Sequence, residues 1–171
     1  PLLDGVDRGI ATLCRSVVLL TGIGLLVSIG IGVAARYVID VGGVHWAEEL
    51  PKQLFPWFIM AGVVLALQTG NHIAVDLVMR FLGERGKQAL IVLINLIIAG
   101  AYTYMFTVAM EVAEITSVEV NPMLGTPGSL PFYALAAGSA LTALSALVLA
   151  LRVALLGAEA APEANPEESV Q

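Results

Sequence analysis

Four stretches of about 20 residues without a single charge, each the length a helix needs to cross the hydrocarbon core of a bilayer, decide what this chain can become. They run from Ser16 to Ala35, from about Gln53 to Gly70, from Ala89 to Met110 and from about Phe132 to Leu151. Strands are excluded, because an open strand in lipid leaves its backbone groups unpaired. Hydrophobic residues make up 58% of the chain and charged ones 13%. No ordinary soluble domain has that balance. The expected fold is an all-α integral membrane protein of four transmembrane helices, with spans of about 16–36, 46–70, 88–112 and 131–152 in a domain of residues 1–156. The first window is too long for the apolar region of a signal peptide, and no small-residue cleavage site follows it before Arg36.

The basic residues set the orientation. Arg8, Arg15, Arg80, Arg85, Lys87 and Arg152 fall on one side of the four spans, and Arg36 and Lys52 on the other. The positive-inside rule then places both termini in the cytoplasm. The basic-free loop from Glu111 to Pro131 suits the outer side. Residues 157–171, rich in Ala, Pro and Glu, read as a disordered acidic cytoplasmic tail. The net charge of −6 arises partly there, and nothing in the chain points to nucleic acid.

Several chemistries lack their residues. Cys14 is the one cysteine, so no intrachain disulfide and no cysteine-pair electron relay is available. His45 and His72 are the two histidines and lie near span ends, too few for a di-haem protein, and no metalloprotease or phosphate-loop motif occurs. The reading is a protein without catalytic residues, cofactor or metal site.

Polar residues near the spans fall into three groups. The segment "HWAEELPKQLFPWFIM", residues 45–60, gathers Glu48, Glu49 and Lys52 between Trp46 and Trp57. A charge at the bilayer centre costs about 2.5 to 3.5 kcal/mol, so these three belong at the interface, flanked by an aromatic belt. Glu48 with Lys52 has the favourable i,i+4 spacing, and Arg36 is the expected partner of Glu49. Two readings stand: an anchored, salt-bridged helix start, or a specific contact with another protein.

The segment "NHIAVDLVMRFLGERGKQ" is the second group. As a helix over about 72–83 it stacks Ile73, Leu77 and Phe81 on one face and His72, Asp76, Arg80 and Glu84 on another, which is the pattern of an amphipathic helix lying in the membrane interface. The third is Asn95, within the third span on a stripe with Ala99, Tyr102 and Phe106. Its amide is expected to bond another helix, a contact of about 0.6 kcal/mol in membranes, with a transport site as the alternative.

Small residues recur at helical spacing. Gly24, Ser28, Gly32 and Ala35 line one face of the first span, and Ala134, Gly138, Thr142, Ala146 and Ala150 one face of the fourth. Such faces let helices approach closely in lipid, either within the bundle or against another subunit.

Residues 35–78, "ARYVID…VHWAEELPKQLFPWFIMAGVVLALQTGNHIAVDLV", resemble the small transmembrane subunit of tripartite ATP-independent periplasmic (TRAP) transporters. The matching positions are Arg36, Tyr37, Trp46, Glu48, Glu49, Leu50, Gly62, Gly70, His72, Ile73, Val75 and Asp76. Gln68 and Thr69 stand where the family often has a basic residue, and Ala137 precedes Gly138 where it often has proline. The resemblance implies a subunit that braces a large, many-span transport subunit, in a system that imports an organic acid or similar solute with sodium. A soluble periplasmic substrate-binding protein completes the system. Arg36, Trp46, Glu48, Glu49, Lys52, Gly62, His72, Asp76 and Arg80 are then candidates for structure and subunit contact. Asp40 and Glu119, in the outer loops, are candidates for docking the binding protein. The rival reading is a self-sufficient dimeric proton-coupled exporter that titrates Glu48 or Glu49, which requires that acid to face a central cavity.

Overall fold

The computed structural model describes residues 2–39, 45–69 and 83–157. Four long helices account for nearly all of them: α1 (Leu2–Ala34), α2 (His45–Thr69), α3 (Glu84–Thr116) and α4 (Leu130–Leu156). All four are long and apolar enough to cross a membrane. The expected interfacial helix with His72, Asp76 and Arg80, the outer residue Asp40 and the acidic tail from residue 158 lie outside the described residues.

The helices outrun the uncharged windows. α1 begins at Leu2, well before Ser16, because "LLDGVDRGIATLCR" has the helical spacing to bury Ile10 and Cys14 against Ala61 and Val64 of α2. It has 33 residues. A helix of that size is about 50 Å long against a hydrocarbon core of about 30 Å, so its polar first turns stand in or beyond the head groups. After Ala34 it widens into a π-helical turn, Ala35–Ile39.

The four helices form a rank in the order α1, α2, α4, α3. Extensive contacts join α1 to α2, α2 to α4 and α4 to α3, whereas α1 barely touches α4. Burial follows this order. In its most apolar window α4 buries 44% of residues and α2 28%, whereas α3 buries 17% and α1 only 6%. The end helices therefore turn most of their apolar side chains outward, Leu20 and Leu26 of α1 among them.

The small-residue faces lie at the helix seams within the chain. On α1, a Cβ at Gly24 would meet Leu54 at 3.0 Å and one at Gly32 would meet Ala47, while Ser28 is buried. On α4, Ala134, Thr142, Ala146 and Ala150 are all buried, and Gly138 sits so close to α2 that a Cβ there would overlap the Cβ of Met60. Dispersion contact between closely approaching backbones supplies the attraction that water supplies elsewhere.

Asn95 is buried as expected but bonds differently. Its amide nitrogen donates to the carbonyl of Ile91 on its own helix at 2.9 Å, and its carbonyl oxygen has no partner among the described residues. The i−4 carbonyl is always within reach of a short amide on a helix, so this local bond forms in place of one to a neighbouring helix.

Candidate assembly site around the start of the second helix

α2 contains two prolines, Pro51 and Pro56. In a helix the N–H of residue i bonds the carbonyl of residue i−4, so Pro51 leaves the carbonyl of Ala47 without its helical donor. The hydroxyl of Ser28 on α1 fills the vacancy, donating to the Ala47 carbonyl at 2.8 Å in a buried setting. Here a defect in one helix is repaired by its neighbour, which fixes the height of α1 against α2.

Beyond that bond lies a cluster of charges. Arg36, in the π-helical turn, pairs with Glu48 at 2.6 Å, and Lys52 pairs with Glu49 at 2.6 Å. Both pairings exchange the expected partners. Glu48 and Glu49 stand about 100° apart around the helix, and Lys52 projects between them, so it can reach either. The end of α1 lies on the Glu48 side and brings Arg36 there; Lys52 turns to Glu49 at i,i+3. Glu48 also sits in the first turn of α2, where the helix dipole favours negative charge.

Glu49 makes a second contact that draws in the connection between α3 and α4. Its other oxygen accepts from the side-chain amide of Asn121 at 3.1 Å. Asn121 also organises that connection: its side-chain oxygen accepts from the backbone N–H of Met123 and of Leu124, and its backbone N–H donates to Thr126. Gly125 closes the turn with a φ of 65°. That is the left-handed conformation, which favours glycine. An isolated bridge between Val120 and Pro127 completes the loop. Arg36, Glu48, Glu49, Lys52 and Asn121 thus tie together α1, α2 and the α3–α4 connection.

The other candidates are placed separately. Trp46 is half exposed on the first turn of α2. Gly62 lies far along α2, and a Cβ there would meet nothing within 4 Å, so no described helix of this chain explains the glycine. The backbone of Glu119 bonds Thr116 and Gly128 within the loop, and its side chain is exposed. Glu48 forms one wall of a shallow cleft of about 170 Å³ with Gly32, Arg36 and Tyr37. Its side chain is 53% exposed and ion-paired at the helix start. An exporter would titrate a deep central acid instead. Among the described residues no cluster of His, Cys, Asp and Glu could hold a metal ion.

Two contributors escaped the sequence reading, Asn121 and the Ser28–Ala47 bond. Both had a signal. Asn121 opens "NPMLGTPG", whose Asn-Pro step and glycines mark an asparagine-initiated turn. Pro51 lies four residues after Ala47, and that spacing alone predicts an orphaned carbonyl.

A rank of four membrane-crossing helices, tied by polar contacts among α1, α2 and the α3–α4 connection, defines a polytopic membrane protein. Residues 25–156 match the DctQ component of the tripartite ATP-independent periplasmic transporters, and the chain belongs to that family. It is 42% identical over 156 residues to the Sinorhizobium fredii protein y4mM, an alignment covering 91% of this chain and 29% of that protein. It is 23% identical over 99 residues to a Haemophilus influenzae protein named as a putative TRAP transporter small permease, covering 58% of this chain and 59% of that one. The chain thus spans less than two thirds of either relative. A small TRAP transporter component with four membrane-crossing helices is a multi-pass protein of the inner membrane.

Proposed function

We propose that this chain is the non-transporting membrane subunit of a TRAP system for sodium-coupled uptake of an organic acid or similar solute. Its role is to brace the large many-span transport subunit and to help dock a periplasmic substrate-binding protein. Both termini face the cytoplasm, which puts the Arg36–Glu48 and Lys52–Glu49–Asn121 contacts at the periplasmic end. The observation that supports this reading is that those contacts engage the chain's own elements and tie α1, α2 and the α3–α4 connection into one unit. Gly62, with open space beside it, supplies a place where another helix could approach closely. Asp40 and Glu119 belong to the docking surface on this reading, and His72, Asp76 and Arg80 set the inner end of α2.

The test is affinity purification of the chain from its native membrane in mild detergent, followed by intact-complex mass analysis. A stoichiometric partner of about a dozen spans is expected. A lone chain or homodimer that moves solute in vesicles would overturn the proposal. Charge reversal at Asp40 and Glu119 together should slow delivery by the binding protein while leaving the membrane complex intact; unchanged delivery would remove those two residues from the docking surface.

A further inference from the structure

At the opposite end of the rank from Glu48, a cavity of about 250 Å³ opens between α1, α2 and α4. Its walls carry three guanidinium groups, Arg8 and Arg15 from α1 and Arg152 from α4, against one carboxylate, Asp7. Asp7 is engaged by Arg152 at 2.5 Å. Arg8 and Arg15 make no ion pair among the described residues, yet both line the same space, about two helical turns apart. Gln68 and Thr69 add polar groups at the end of α2, and Gln68 spans the seam, donating to the Asp7 carbonyl and to Ser145, each at 3.4 Å. Two cations with no ion pair among the described residues, facing a polar cavity, form a site for an anion.

Deeper in the membrane, the same three helices line a second, apolar groove of about 80 Å³. It is lined by Leu13 and Val17 of α1, Trp57 and Met60 of α2, and Gly138 and Leu141 of α4. From Arg152 to Gly138 is about 14 residues of helix, about 21 Å, against about 15 Å of hydrocarbon in one leaflet. A basic pocket with an apolar groove between the same three helices, deeper in the leaflet, matches a head group joined to an acyl chain. A free phosphate would use the first part and leave the second unexplained.

We propose that the cavity at Arg8, Arg15 and Arg152, with the groove beside Trp57, is a binding site for an anionic phospholipid. Its phosphate lies among the guanidinium groups and one acyl chain runs along α2. Basic pockets between membrane helices recognise anionic head groups in this way. Arg15 lies about 10 Å deeper along α1 than Arg8 and reaches back to the phosphate by extending its stem toward the helix end. The proposed topology enters only in naming the cytoplasmic leaflet as the source; the site itself stands on the cavity and its charges.

Trp57 supplies the test, because brominated acyl chains quench tryptophan on contact. The full chain bearing Trp46→Phe, which leaves Trp57 as its one tryptophan, is reconstituted in mixtures of phosphatidylglycerol and phosphatidylcholine with either lipid brominated. The quenching gives the relative binding constant of the two lipids at the groove. Preference for phosphatidylglycerol is expected, falling about fivefold for each of Arg8→Gln and Arg15→Gln, and rising for Asp7→Asn, which removes the opposing carboxylate. Equal quenching by both lipids, or a preference indifferent to all three substitutions, would overturn the proposal. Loss of the preference on adding millimolar glycerol phosphate would also overturn it, assigning the pocket to a free anion. Should either arginine variant fail to fold, the Asp7→Asn arm decides alone, since a gain of selectivity cannot come from misfolding.

Discussion

The hydroxyl of Ser28 donates to the carbonyl of Ala47 at 2.8 Å, and Ala47 is the residue whose helical donor is missing because position 51 is proline. A serine on one helix and a proline on the next are thereby coupled without touching. Ser28→Ala leaves that carbonyl unpaired in a dry seam and is expected to destabilise the chain by about 1–2 kcal/mol. In a Pro51→Ala background, where the backbone regains an N–H at that position, the same substitution should cost markedly less. Thermal unfolding in detergent of the two single variants and the double variant measures the coupling; additive effects would show that the hydroxyl does not serve Pro51's vacancy.

Gly138 carries the closest approach of α2 and α4. A methyl there would meet Met60 at its Cβ, next to the backbone, so the side chain cannot simply swing away. Gly138→Ala should destabilise the chain by about 1–3 kcal/mol, as overpacking does, with partial recovery in the double variant with Met60→Ala. An unchanged unfolding midpoint would mean that the helices separate at no cost.

Gly62 is the opposite case. Nothing lies within 4 Å of its Cβ position. Gly62→Ala should therefore leave the isolated chain as stable or slightly more so, since alanine is the better helix former by about 1 kcal/mol. The bulkier Gly62→Leu is expected to reduce recovery of the large subunit in affinity purification. Full recovery would place Gly62 against lipid instead.

Asn121 has two separable roles, and substitution distinguishes them. Asn121→Asp keeps an oxygen for the N–H groups of Met123 and Leu124 but sets a second carboxylate beside Glu49, so the turn should persist while the tie to α2 is lost. Asn121→Ala loses both. Hydrogen exchange over residues 119–128 should therefore rise well above wild type for the alanine variant and much less for the aspartate. Equal rates in the two would make Glu49 the organiser of the loop.

The pair Arg36–Glu48 is exposed on both sides, 65% and 53%. Such pairs contribute about 0–1 kcal/mol, so Arg36→Ala should barely move the unfolding midpoint. Its expected effect is on recovery of the partner subunit, restored by the charge exchange Arg36→Glu with Glu48→Arg. A large loss of stability in the isolated chain would mark the pair as an internal strut.

The sequence announced what depends on one helix at a time. Length and the absence of charge define four spans, and glycine, alanine and serine every four residues name the faces of α1 and α4 that meet neighbours. It fell short where the answer depends on how helices are rotated and set in height. Lys52 can reach Glu48 or Glu49 by spacing alone, and only the position of Arg36 decides between them. Asn95 offers an amide to any neighbour, and its own helix is nearest. The extension of α1 to Leu2 was hidden by Asp7, Arg8 and Arg15, which break an uncharged window without breaking a helix.

A rank of four has one inner joint. The α1–α2 hairpin and the α3–α4 hairpin meet along α2 and α4 like two leaves of a book, with Gly138 against Met60 at the spine. Such a joint invites folding about its own line. Here each end of the spine carries a clasp: Glu49 to Asn121 at one end, Gln68 to Ser145 and Asp7 to Arg152 at the other. Clasped top and bottom, the two leaves are held at a set angle, and under the proposed function that stiffness is what a moving neighbour would push against.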